Sequence, residues 1–287
     1  MAAHIVNKSP ETTVRVWARR PEVAEELVAA GAEWHETPAL LADGADLIII
    51  VLPDLPEVEA VLYGADGILA GSHGDLVLVI CSTSSPTGVR ILAKRLYEDS
   101  DGRIQVVDAP VSGGEDGATA GTLSIMVGGD SEPVAAATPV LTACGRPVHL
   151  GPLGAGQVAK ACNQMIVAAT VLALGEAAVL ADRSGINVGQ LFELFGGGYA
   201  ASRILETRGP RMVAEDYTPS GVAKYLLKDL RYAADVAEDT ATSTALLPAL
   251  RSTFEDLVRS GLGESDMAVT RRYIEERSGE STPDVTG

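Results

Sequence analysis

Leu47-Ile-Ile-Ile-Val-Leu52 is apolar at every position and mostly β-branched. It is too short for a typical buried helix and lacks polar alternation, so it reads as a strand of a parallel sheet, buried on both faces. The same rhythm recurs on either side of it. Apolar residues 14–17, 46–52 and 76–81 each precede a helical stretch, at 21–30, 57–62 and 87–97. Pro21 suits a first helical turn and Gly31 a C-terminal cap. This alternation predicts an α/β fold with a doubly wound, mostly parallel sheet. Runs at 104–107, 123–127 and 148–150 extend the sheet, and strand signals cease near Gly151.

Beyond that point helix dominates. Residues 155–181 are rich in alanine and apolar nearly all round, which predicts a long helix buried between other elements and bridging two domains. Helical patterns at 188–195, 224–237, 244–260 and 266–276 make the second half all-α, with Gly196-Gly-Gly198 as a hinge or turn. The expected domains are residues 1–150 and 151–287, with a loose tail after Arg277. A chain of 287 residues with 46% apolar content can bury a core in each.

The formal charge of −17, from 39 acidic and 22 basic side chains, argues against nucleic acid or an anionic membrane as partner. The longest uncharged run, residues 161–175, is too short to cross a bilayer, and the N-terminus lacks a basic-then-apolar signal pattern. Cys81, Cys144 and Cys162 are odd in number and without metal-ligand spacing, so free thiols in the cytoplasm and no metal are expected.

Two segments carry chemistry. In Asp108-Ala-Pro-Val-Ser-Gly-Gly114, Ser112, Gly113 and Gly114 follow an apolar strand, and their backbone N–H groups and one hydroxyl can close around a small anion such as a carboxylate. A tight turn that needs glycine is the alternative. In Gly151-Pro-Leu-Gly-Ala-Gly-Gln-Val-Ala-Lys-Ala-Cys-Asn163, glycines open a helix that carries Lys160 and Asn163 three residues apart on one face. A surface lysine in a salt bridge and an amide satisfying backbone are the plain alternatives.

With Leu52-Pro53, Cys81-Ser-Thr-Ser-Ser-Pro86, Gly121-Thr-Leu123 and Lys228-Asp229, these segments resemble the β-hydroxyacid dehydrogenases, relatives of 6-phosphogluconate dehydrogenase, almost end to end. The resemblance implies a Rossmann-like domain followed by a helical one, a homodimer or homotetramer, and hydride transfer between a nicotinamide and a short hydroxy acid or its semialdehyde or keto partner. By position, Lys160 matches the catalytic lysine, which desolvation beside a cofactor would ready for proton transfer. Asn163 matches a substrate-holding amide, and Ser112, Gly113 and Gly114 a carboxylate cradle. Leu52, Pro53 and Thr83 match positions beside the nicotinamide and its ribose. Lys228 matches a lysine that closes over the cofactor, with pairing to Asp229 as the alternative. Imine reduction on the same scaffold, or a non-catalytic dimeric binding protein, are the other readings; relatives that reduce imines usually replace the lysine.

The second strand ends Trp17-Ala-Arg-Arg20. An acid there would accept from a ribose 2′-hydroxyl, whereas Arg19 and Arg20 suit a 2′-phosphate, so NADP is expected over NAD. Two positions depart from the family. Met1-Ala-Ala-His-Ile-Val6 reads as the interior of the helix that should follow a first strand and Gly-x-Gly-x-x-Gly turn, so these 287 residues are expected to lack both, through a misplaced start or a shortened gene. Ile80 stands where relatives commonly show aspartate.

Overall fold

The computed structural model describes residues 1–8 and 11–279. It forms two compact units, Met1–Lys160 and Ala161–Gly287. The first runs α1 (Ala2–Lys8), β1 (Arg15–Val16), α2 (Glu25–Ala29), β2 (Glu33–Trp34), α3 (Pro38–Ala42), β3 (Leu47–Ile50), α4 (Leu55–Tyr63), α5 (Ile68–Gly71), β4 (Leu76–Ile80), α6 (Pro86–Asp99), β5 (Ile104–Asp108), β6 (Val111–Ser112), α7 (Gly114–Ala120), β7 (Leu123–Gly128), α8 (Ser131–Thr142) and β8 (Gly145–Gly151).

Strands β3, β4 and β5 lie side by side and parallel. Asp108 of β5 then pairs with Gly128 of antiparallel β7, which also takes β6 antiparallel and β8 parallel. Side-chain alternation sends successive residues to opposite faces. Leu76, Leu78 and Ile80 pack with Ile48, Ile50, Ile104 and Val106 against Val58 and Leu62 of α4 and Val89, Leu92 and Leu96 of α6. Val79, Cys81 and Val107 pack on the other face, against Val134, Ala137 and Leu141 of α8 and Ile5 of α1. Helices on both faces make the sheet doubly wound, and the apolar runs at 76–81 and 104–107 are its centre.

The run at 47–52 behaves differently from expectation. Ile48 and Ile50 are buried, but Leu47 and Ile49 are only partly so and Val51 is 60% exposed. The cause is position: among the described residues β3 has β4 as its one neighbour in the sheet, and β1 and β2 form a separate parallel pair. The antiparallel excursion through β6 and β7 is a second departure from the parallel pattern.

The second unit is built from the greater part of α9 (Ala155–Arg183), then α10 (Val188–Gly196), α11 (Arg203–Val213), α12 (Ala223–Asp239), α13 (Leu247–Leu257) and α14 (Thr270–Arg277). Its core gathers Ala168, Val171, Phe192, Met212, Leu226, Leu230, Leu250 and Phe254. Helix α9 is not buried all round, because Ile166 and Leu180 are 62% and 71% exposed while Ala168 and Val171 are fully buried. It is also longer than the uncharged run inside it: by length and composition alone its 29 residues are enough to cross a membrane, a property shared by core helices of soluble proteins. Gly196 is the last residue of α10, and Gly197 and Gly198 turn the chain directly after it. Of the tail after Arg277, Ser278 and Gly279 accept hydrogen bonds from the Arg183 guanidinium, and residues 280–287 lie outside the described residues.

Candidate active site

Strand β5 ends in Asp108, a fully buried carboxylate. Its two oxygens accept from the backbone N–H groups of Gly154 and Gln157, each at 2.7 Å, so a side chain from the sheet caps the first turn of α9. Burial pushes the Asp108 carboxyl above its ordinary value, against the opposite pull of those two N–H groups and of Arg90. Gly156 permits the approach: a Cβ there would strike the Met126 carbonyl oxygen and come within 2.8 Å of Asp108 Oδ2. The glycines that open this helix are therefore required by packing as well as by conformation.

Lys160 sits one turn further along α9. It is only 8% exposed, and its Nζ donates to the Val111 carbonyl oxygen at 2.7 Å. The next residue is Ser112, the start of the expected cradle. Gly113 has φ +137° and Gly114 φ +63°, both left-handed values that a side chain would strain, and the space beside Gly114 is open. The lysine and the 112–114 turn are thus held together within the first unit.

The ends of β3 and β4 join the same assembly. Leu52 N–H donates to Ser82 Oγ at 3.1 Å, which ties Leu52-Pro53 to the loop bearing Thr83. Gln157, 1% exposed, reaches that loop from α9: its Oε1 accepts from Ser84 N–H at 2.9 Å and its Nε2 donates to the Ser82 carbonyl at 2.8 Å. Ile80, where relatives commonly show aspartate, is fully buried among apolar residues.

Arg19 and Arg20 are exposed, just before a 3-10 turn at Pro21–Ala24. In the second unit Asn163 Nδ2 donates to Gln164 Oε1 at 2.8 Å, and Gln164 Nε2 to Asp229 Oδ2 at 2.7 Å. Lys228 Nζ lies 3.6 Å from Asp229 Oδ1, an ion pair. The hydrogen-bonding roles of Asp108 and Gln157 were not apparent from the sequence. Their only signals were a carboxylate closing an apolar strand and a lone amide in a turn of glycine, alanine and valine.

Residues 1–161 match the family model for the NAD binding domain of 6-phosphogluconate dehydrogenase, and residues 154–274 that for the NAD-binding region of NADP-dependent 3-hydroxyisobutyrate dehydrogenase. The chain belongs to the β-hydroxyacid dehydrogenase family. Among the relatives of this dehydrogenase, 2-hydroxy-3-oxopropionate reductase of Escherichia coli is 34% identical over 254 residues, covering 88% of this chain and 86% of that one. NAD-dependent L-serine dehydrogenase of Pseudomonas aeruginosa is 34% identical over 262 residues, covering 88% and 87%. A structure of Mycobacterium tuberculosis 3-hydroxyisobutyrate dehydrogenase with L-serine superposes with a TM-score of 0.80 at 27% identity, covering 95% of this chain and 94% of that one. The protein is thus an oxidoreductase of the hydroxyacid dehydrogenase type, with nicotinamide-dinucleotide-binding segments.

Proposed function

We propose that this dehydrogenase transfers a hydride between NADP(H) and a small β-hydroxy acid or its semialdehyde or keto partner, with Lys160 relaying the proton. The observation that carries this reading is the buried Lys160 ammonium, fixed at 2.7 Å on Val111 beside the serine-glycine turn. An ammonium donates up to three hydrogen bonds. The bond to Val111 holds the side chain beside the turn, and on this reading it donates a proton to the oxygen of a substrate whose carboxylate rests on Ser112, Gly113 and Gly114, or as the amine takes one from it. Asn163, one turn along α9, holds the substrate hydroxyl or carboxylate.

The strand ends fit a nicotinamide cofactor, since they gather at the carboxyl edge of the sheet where α/β folds bind such groups. Ser84 Oγ is buried there without a partner among the described residues. Leu52, Pro53 and Thr83 would lie along the nicotinamide and ribose, Arg19 and Arg20 would take the 2′-phosphate, and Lys228 is read as a further cofactor-binding residue. The bound nicotinamide supplies the hydride chemistry.

The test is NADPH oxidation, repeated with NADH, against glyoxylate, succinic semialdehyde, methylmalonate semialdehyde and tartronate semialdehyde. Lys160→Ala should lower turnover by about 10²–10⁴-fold while NADPH still binds. A variant that kept the wild-type rate would remove the lysine from the mechanism. Zero consumption with every carbonyl would favour imine reduction or a non-catalytic binding role.

A further inference from the structure

We propose that Gln157 is a positioning residue: a buried amide clip that locks the Thr83 loop to the turn of α9 carrying Lys160. The proposal rests on the reading of Lys160 given above. The side chain is 1% exposed and spends both ends of its amide on one loop, accepting from Ser84 N–H at 2.9 Å and donating to the Ser82 carbonyl at 2.8 Å. A backbone N–H can only donate and a carbonyl can only accept, so just one orientation of the amide satisfies both. Thr83 lies between the two clipped residues.

The clip also has a fixed base. Gln157 N–H is held by Asp108 at 2.7 Å, and Ser82 Oγ in turn accepts from Leu52 N–H. One continuous polar chain therefore runs from Asp108 through Gln157 and Ser82 to Leu52, linking the ends of β5, β4 and β3. Lys160 follows Gln157 by three residues, nearly one helical turn. Any slip of the loop against the helix changes the distance between the nicotinamide positions and the ammonium, and misplacement of about 1 Å can cost a reaction about 10²-fold.

Two substitutions separate positioning from mere packing. Gln157→Leu removes both bonds and keeps an apolar side chain. Gln157→Glu retains the acceptor and restores the donor only when protonated. The charged groups nearest this turn are the Asp108 carboxylate, the Arg90 guanidinium on α6, whose Nε donates to the Leu153 carbonyl, and Lys160 itself. The neutral acid donates to the Ser82 carbonyl, whereas the ionised form sets a negative oxygen against it. The folded state therefore favours the proton and raises the pKa of the introduced carboxyl above the ordinary ~4.3. The clip is intact below that raised value and is lost as pH climbs through it.

The first readout is amide exchange of residues 82–85 in cofactor-free protein. Gln157→Leu should exchange at Ser84 at least about 10-fold faster than wild type, and Gln157→Glu should match wild type at low pH and diverge from it as pH rises. The second readout is kcat, KM and NADPH affinity. Gln157→Leu should lower kcat by about 10- to 100-fold with NADPH affinity little changed, and Gln157→Glu should gain a pH-dependent fall in kcat absent from wild type. Unchanged exchange at Ser84, or a loss of rate in Gln157→Glu that is the same at every pH, overturns the clip. If Lys160→Ala abolishes turnover while Gln157→Leu keeps it, the clip alone fails; if Lys160→Ala keeps its rate, the lysine reading fails and the catalytic role of Gln157 with it.

Discussion

The first turn of α9 and the corner bearing Arg19 and Arg20 belong to the same unit but are built on different principles. At the helix start, Asp108, Gln157 and Lys160 are buried, and each has a named partner within 3 Å. At the corner, the strands are two residues long, the two arginines are exposed, and the local ties are exposed ones, such as the Trp17 indole donating to the Glu36 carbonyl and Arg15 beside Glu33. The first region is tied by buried hydrogen bonds, whereas the second carries its charge in solvent. On the proposed function, proton delivery would fall to the buried region and the choice between cofactors to the exposed one.

Substitution can break that contrast at either end. Gly156→Val, which drives a side chain into the Met126 carbonyl, should cost more than ~4 kcal/mol of stability, read as a lower urea midpoint; a wild-type midpoint would mean that the helix start is loosely seated. Asp108→Asn keeps one acceptor but turns an N–H donor toward a helix N–H, a buried mismatch worth about 1–3 kcal/mol in thermal unfolding. If it proved neutral, the cap would not be what anchors the turn. At the corner, replacing Arg19 and Arg20 together by alanine should raise the KM for NADPH by about 10-fold or more and leave NADH unaffected, as expected for lost charge-assisted hydrogen bonds. Equal changes for the two cofactors would remove the preference for NADP. The smallest effect is chemical: Cys162 is exposed, while Cys81 and Cys144 are buried, and burial with help from Cys144 pushes the Cys81 thiol up to about 12. A thiol reagent at pH 8 should label one cysteine in the folded protein and three after unfolding; early labelling of Cys81 would show that the sheet's core opens easily.

Much of this was legible from apolar periodicity. The alternation of strands and helices up to Gly151 and the helical second half follow from the spacing of apolar residues, a local property. What escaped depends on neighbours. The run at 47–52 has the composition of a central strand, yet among the described residues β3 has a single partner, and nothing in its own residues reports that. Strand β6 is two residues long, Val111–Ser112, too short for any pattern, and its antiparallel pairing is tied to a turn through Gly113 and Gly114. The exposed side of α9 at Ile166 and Leu180 could not be separated from its buried side because both are aliphatic. Motif resemblance singled out Lys160 and the 112–114 turn. Gln157 stayed invisible because an amide at a helix start is ordinary until its two partners, more than seventy residues earlier, are brought beside it.

The sheet also divides its own tolerance for change. Leu78 and Val79 are adjacent in the chain and both wholly buried, yet one belongs to the layer with α4 and α6 and the other to the layer with α8. Each layer is a separate jigsaw, so a methyl group gained beneath one set of helices can be offset only by a loss beneath the same set. Over evolutionary time the two layers can drift at their own rates, and covariation between residues should track the face of the sheet more closely than the order of the chain.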